Sequence, residues 1–176
     1  MDDLRLWRQS VLRVADELSV LADVERAWLH ERLQAVHRLQ RQLHGLFEQA
    51  DGAGCCRVCG GACCERGRHH LTLVNLLGFL CFKEAPPEPD FSTSCPFLSA
   101  TGCRIDVERR PFNCITFNCE AVENALPEAS VRLFYQLEGR LRRLYREFDE
   151  RYAGSSLQGL LIRAERLGPR PFLARC

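Results

Sequence analysis

The chain has 176 residues, enough for one domain that buries a core, and its 46% hydrophobic and 27% charged content is ordinary for a soluble globular protein. A net charge of +1 leaves no overall excess to draw in nucleic acid or an acidic membrane. Eleven cysteines in such a chain are the anomaly.

Residues 2–49 read as helix. Leu4, Val11 and Leu18 lie seven apart, and Trp7, Val14, Leu21 and Trp28 form a companion row. After Asp23 the register moves to Leu29, Val36 and Leu43, with Leu33 and Leu39 beside them. Such a shift marks either a stutter in one helix or a break between two, and one long helix or a barely bent pair is expected. Asp51-Gly52-Ala53-Gly54 stops it. His30, His37 and His44 share one face, but seven helical residues rise about 10.5 Å, too far for one coordination sphere. A solvated face is expected for them.

The middle of the chain is built around Cys55-Cys56-Arg57-Val58-Cys59-Gly60-Gly61-Ala62-Cys63-Cys64. Neither helix nor strand formation calls for this density of thiols. Gly60 directly after Cys59 lets the backbone curl until sulfurs converge, and Cys-x2-Cys brings two thiolates to one soft metal at little loop cost. Next, Leu71–Glu84 reads as a mostly buried helix carrying Cys81. Its apolar run, Leu71 to Phe82, contains Thr72 and Asn75 and is too short to span a bilayer. Ala85-Pro86-Pro87-Glu88-Pro89-Asp90 is a connector no helix crosses.

A second cysteine group occupies loops and short turns over 91–119: Cys95-Pro96-Phe97-Leu98, Gly102-Cys103-Arg104-Ile105, Arg110-Pro111-Phe112-Asn113-Cys114, and Cys119. With Cys56, Cys59, Cys63 and Cys64 this makes eight candidate ligands, the number that two tetrahedral all-cysteine sites or two four-iron clusters require. Adjacent residues such as Cys63 and Cys64 point in divergent directions and suit different centres better than one, which makes a closely spaced pair of metals, or one metal plus a reactive spare thiol, the natural options. Pro96 and Pro111 stiffen their loops. Arg57, Arg66, Arg104 and Arg110 are candidates to donate hydrogen bonds to sulfur.

A short helix is expected around Glu120–Leu126. Pro127 then opens a helix to about Tyr152, with Val131, Phe134, Leu137, Leu141, Leu144, Tyr145 and Phe148 on its apolar row. Gly154-Ser155-Ser156 breaks it, and Leu157–Leu167 is a further turn-rich helix. Residues 130–176 hold 10 basic and 5 acidic groups, whereas 51–129 hold 7 and 10. Two divalent ions on eight thiolates would add four negative charges to the middle, giving the basic segment a partner within its own chain. The fold class expected is mainly α, with long N- and C-terminal helices around an irregular, metal-stapled centre. The segments are 1–50, an N-terminal amphipathic helix or helix pair; 51–126, a cysteine-cluster metal-binding domain; and 127–176, a basic C-terminal helical segment.

The arrangement Cys56-x2-Cys59-x3-Cys63-Cys64, then Cys-Pro-Phe-Leu, Gly-Cys-Arg-Ile and Arg-Pro-x2-Cys-x4-Cys, resembles the YkgJ-type cysteine-cluster family, described as a zinc- or iron-chelating domain with eight characteristic cysteines. The likeness covers about residues 55–120. It implies metal ligation by Cys56, Cys59, Cys63, Cys64, Cys95, Cys103, Cys114 and Cys119, and assigns nothing to Cys55, Cys81 or Cys176. Many members space the first group one residue more tightly, and Asp106 stands where tyrosine is common. The family is similar to the cluster region of flagellin lysine methylases, which implies an iron–sulfur cofactor. A radical-SAM site is excluded, because its spacing puts cysteine where Arg66 stands.

Iron–sulfur, used for electron transfer or redox sensing, is therefore the preferred cofactor, and structural zinc in a non-catalytic interaction module is the alternative. Cys64 with His69 or His70 gives a weak case for nucleophilic catalysis, so no enzyme activity is assigned. Expected partners are the metal ions, with a protein partner on the N-terminal helix left open. Met1-Asp2-Asp3-Leu4-Arg5 has no apolar h-region, and clustered thiols favour a cytoplasmic setting with metal rather than disulfides. No membrane partner is expected, and nucleic acid is disfavoured because Cys-x2-Cys occurs once and basic and aromatic residues do not interleave around it.

Overall fold

A computed structural model describes residues 2–176, and among these the chain is mainly α, with eight helices and one two-stranded hairpin. Helix α1 spans Asp3–Ser19 and α2 spans Asp23–Gln49. Between them Val20–Ala22 leave the helix, and Ala22 is extended with ψ 148°. The register shift is thus a true break. Asp23 in the first turn of α2 complements that end's partial positive charge, and Arg26 bonds both Asp23 and the Leu21 carbonyl. The predicted seams do bury: Trp7 and Val14 on α1, and Leu29, Leu33, Val36, Leu39 and Leu43 on α2, lie in the core.

Asp51 takes a left-handed conformation and caps Gly54 with its carboxylate, so the Gly-rich stop also starts helix α3, Gly52–Val58. A 3-10 helix over Ala62–His69 follows. Helix α4, Leu73–Leu80, is shorter than expected. Asn75 Oδ1 accepts from the Thr72 backbone at 3.0 Å and its hydroxyl at 2.8 Å, fixing the start, and Lys83 at φ 59° turns the chain away beyond the end. Cys81 sits at that end rather than within the helix.

Strands β1, Leu98–Ser99, and β2, Gly102–Cys103, pair antiparallel with Leu98 opposite Cys103. A 3-10 turn over Val107–Arg109 leads to α5, Phe112–Thr116, and α6, Glu120–Asn124. Helix α7, Glu128–Arg151, opens after Pro127 and buries Phe134, Leu137, Leu141, Tyr145 and Phe148. Helix α8 begins at Leu160 and ends at Leu167, because the Asp149 carboxylate holds Ser156 in the intervening turn, its backbone N–H at 2.8 Å.

One core draws on both terminal segments and the middle: α2 lies along α7, α1 along α8, and α4 is buried on all sides among them. A second small cluster, Ala50, Val122 and Leu126, joins the end of α2 to α6. Among the described residues no helix is long and apolar enough to cross a membrane.

The histidine row is not a solvated face. His30 is exposed, but His37 is buried and His44 half-buried. His37 packs on Phe82 with ring centroids 4.9 Å apart. Its face of α2 is covered because the chain beyond α4 folds back across it. The C-terminal basic charge is also spent differently from expectation. Arg132, Arg142 and Arg151 pair with Glu128, Glu138 and Glu25.

Candidate metal centre

All eleven cysteines are free thiols. Helix α3 carries Cys55 and Cys56, and Cys59 is the C-cap that follows its last residue. Gly60 and Gly61 follow at φ 63° and 74°, left-handed values that cost glycine nothing. This double turn aims the backbone N–H groups of Ala62 and Gly61 at the Cys59 sulfur, and these hydrogen bonds lower its pKa, favouring thiolate. Beyond the turn, the 3-10 helix carries Cys63 and Cys64.

The second group reaches this knot from the other side. Gly67 packs so closely on Cys95 that a Cβ built there would stand 2.7 Å from the sulfur. Cys95 sits in a turn closed by Leu98 N–H to its carbonyl at 3.1 Å. Cys103 is on β2, and its sulfur accepts from the Ile105 N–H at 3.4 Å. Cys114 is on α5, whose start is fixed from the core. Asn75 Nδ2 donates to the Arg110 carbonyl at 3.0 Å, and Gln40 Nε2 to the same oxygen at 2.6 Å. His70 Nδ1 lies 3.4 Å from the Cys114 sulfur. Cys119 caps α6 and packs with Cys55 on the Ala50, Val122 and Leu126 cluster.

The electrostatics record who neighbours whom. Burial raises the Cys56 thiol, and Cys63, Cys59, Cys119 and Cys55 add to the effect. Burial pushes Cys64 up to about 12, helped by Cys63, Cys95 and Cys103, and a side-chain hydrogen bond joins Cys64 to Cys63, so these two do not point apart as expected. Cys95 is raised by burial against the pull of the Phe97 N–H, with Cys103 also raising it. Cys114 keeps an exposed face, yet crowding around its thiol pushes it far up, and Cys103, Cys95 and Cys64 push the same way. Thiols packed like this repel one another as thiolates, and a cation among them reverses that penalty.

The eight predicted cysteines are therefore brought into one region, whereas Cys81 and Cys176 are not. Cys81 is raised to about 11 by burial alone, and Cys176 points at the Asp149 carbonyl, 3.9 Å away. Cys55 stands beside the knot. Arg104 and Arg110 donate to the carbonyls of Pro96 and Ile105, at 2.7 and 3.1 Å, rather than to sulfur. Their charge still favours the Cys95 and Cys114 thiolates. Gly67, Asn75 and Gln40 carry no cysteine chemistry and escape a search for ligands. Thr72-x2-Asn75 before an apolar run is a helix-start spacing, the one sequence signal that bears on any of them.

Among the described residues no three His, Cys, Asp or Glu side chains are gathered closely enough to hold an ion. The donor set is all soft sulfur, with N–H groups aimed at Cys59 and a glycine cradle under Cys95, so it fits zinc or iron–sulfur better than hard cations. Comparison with family models, curated proteins and solved structures finds no match for the chain.

Proposed function

We propose that the chain is a metal-binding protein of the YkgJ-type cysteine-cluster kind, closing Cys56, Cys59, Cys63, Cys64, Cys95, Cys103, Cys114 and Cys119 on iron–sulfur in a cytoplasmic setting. The observation that carries this reading is the meeting of the two cysteine groups, with Gly67 against Cys95 and both groups within one another's electrostatic reach. On this reading the ligand shell forms together with metal binding, as is usual where site and metal fold as one. Bound iron–sulfur would supply one-electron chemistry, for transfer or redox sensing. The chain's own part is to position thiolates, with N–H groups at Cys59 and positive charge from Arg104 and Arg110 near the second group.

Structural zinc in a non-catalytic interaction module is the second reading. The Cys56-x2-Cys59-Gly60 turn, with its two N–H groups on the Cys59 sulfur, supports it, since Cys-x2-Cys turns are typical of structural zinc sites. Anaerobic purification followed by metal and sulfide analysis decides. Brown protein with iron and acid-labile sulfide in equal amounts is expected. Colourless protein with zinc and no sulfide selects the second reading, and metal-free protein removes both.

A further inference from the structure

We infer that the solvent face of the α2–α7 pair is a docking surface for an acidic α-helix of another protein, held by Arg38, Arg140, Arg143 and Arg146 and seated on Gly45 and Leu133.

The surface starts from residues that the sequence leaves without partners. On α7, Arg132 and Arg142 follow Glu128 and Glu138 by four residues and pair with them. Arg140, Arg143 and Arg146 have Gln136, Gly139 and Arg142 at the same offset, and on α2 Arg38 stands between Gln34 and Gln42. All four arginines are exposed, and among the described residues none pairs with a carboxylate. Glu147, one turn from Arg143, is taken by Arg32. The exposed Glu150 lies a turn beyond Arg146, and the basic row ends there.

Packing puts these charges on one face. Glu25 meets Arg151, Arg32 meets Glu147 and Gln49 meets Ser130, so α2 and α7 run antiparallel with Arg38 level with Arg140 and Arg143. Arg140 and Arg143 lie seven and four residues before Glu147, on the side of α7 that borders α2. Arg38, Gln42, Gly45 and Gln49 repeat at helical spacing toward the Ser130 contact. Gly45 is thereby level with Leu133, which is 45% exposed.

Two glycines mark the same face. Glycine is a poor helix former, suited to places where a backbone turns or is approached closely. Neither Gly45 nor Gly139 has a positive φ. A Cβ at Gly45 would meet nothing within 4 Å, and one at Gly139 only the end of Arg143 at 3.9 Å. Nothing in the chain's own packing requires them, whereas a helix laid over the seam comes closest where they stand. Carboxylates three and four residues apart on such a helix repeat the spacing of Arg140, Arg143 and Arg146, and its apolar side meets Leu133. A net charge of +1 gives nucleic acid no wider field to follow.

Fluorescence anisotropy of a labelled synthetic helix of about 20 residues, glutamate on one face and leucine on the other, tests the surface on the full chain. Circular dichroism reports the fold of each variant. Binding is expected at low salt and should weaken as salt is raised. Arg140→Glu/Arg143→Glu should weaken it at least about tenfold, through like charges set opposite one another. Gly45→Gln, which adds bulk without charge, should weaken it at least about threefold by holding the helix off the seam. Arg5→Glu, on the exposed face of α1, should leave binding unchanged. Absence of binding, equal binding by the charge-reversed variant, or an equal loss in Arg5→Glu overturns the proposal. So does a single-stranded oligonucleotide that binds through the same arginines more tightly than the peptide, which would assign the surface to nucleic acid.

Discussion

Gly67 shows how a residue without a side chain can control a site. An alanine there would press its methyl to 2.7 Å from the Cys95 sulfur and 3.0 Å from the Cys95 Cβ. Overpacking of this kind typically costs about 1–3 kcal/mol. Gly67→Ala should therefore lower the urea midpoint and reduce metal content by the share that Cys95 helps to hold, while Gly45→Ala, which has open space, should do neither. His37 makes a different point at this scale. Burial first, then the Arg109 guanidinium, holds its pKa down at about 4 against the pull of Glu108, with Arg41 and His30 also lowering it. The unfolded chain, with a pKa near 6.5, takes up the proton first, so stability falls as the pH drops from about 6.5 to about 4. The slope approaches roughly 1.4 kcal/mol per pH unit. Urea unfolding at pH 7 and pH 5 should show this loss in the native chain and a smaller one in His37→Gln, the remainder coming from His44 and His70, whose pKa values burial also lowers. A seven-residue histidine row looks uniform in sequence, because nothing there says which turn of α2 a distant segment will cover.

At the scale of elements, the cysteine centre is positioned by a helix that contributes no ligand. Helix α4 is buried along its length, and its first turn presents Asn75. That one amide accepts from Thr72 and donates to the carbonyls of Arg109 and Arg110 and to the Tyr145 hydroxyl, at 3.3, 3.0 and 3.2 Å. Truncation leaves buried partners unsatisfied, a loss of about 1–3 kcal/mol for each group stranded. Asn75→Ala should lower the Tm and loosen α5, and hydrogen exchange at residues 112–116 should quicken more than exchange in α2. Unchanged protection there would show that Asn75 does not set α5. The helices themselves were legible because apolar spacing along α1, α2 and α7 is a local property, and the core fills those rows. The same local logic found the cysteine groups and the curl at Gly60. It could not find Asn75 or Gln40, whose partners lie far along the chain, nor read the Gly-rich stretch after Asp51 as both an end and a beginning.

For the molecule as a whole, the ends of the chain hold the helical frame shut around the centre. Arg151 donates to the carboxylate of Glu25 at the start of α2 through Nε at 2.6 Å, and the Tyr152 hydroxyl and Arg175 join it. On α1, Glu17 accepts the backbone N–H groups of Phe172 and Leu173 at 3.0 and 2.7 Å. Of the C-terminal arginines, Arg151 and Arg175 are drawn to the one buried carboxylate of Glu25, while Arg132 and Arg142 pair along α7 itself. The Arg151 hydrogen bonds outweigh burial and hold the Glu25 pKa down at about 2. A depressed carboxyl contributes fully above its unfolded value near 4.5, and the contribution is lost as pH falls through 2, amounting to about 3 kcal/mol. This window lies below that of His37, so the two acid responses separate. Glu25→Gln should cost about 3 kcal/mol at pH 7, because it leaves Arg151 partly buried without its charge partner, and should flatten the stability profile between pH 4.5 and 2. Denaturant titrations across both windows check it, and a profile that keeps its low-pH slope in Glu25→Gln would place the acid sensitivity elsewhere.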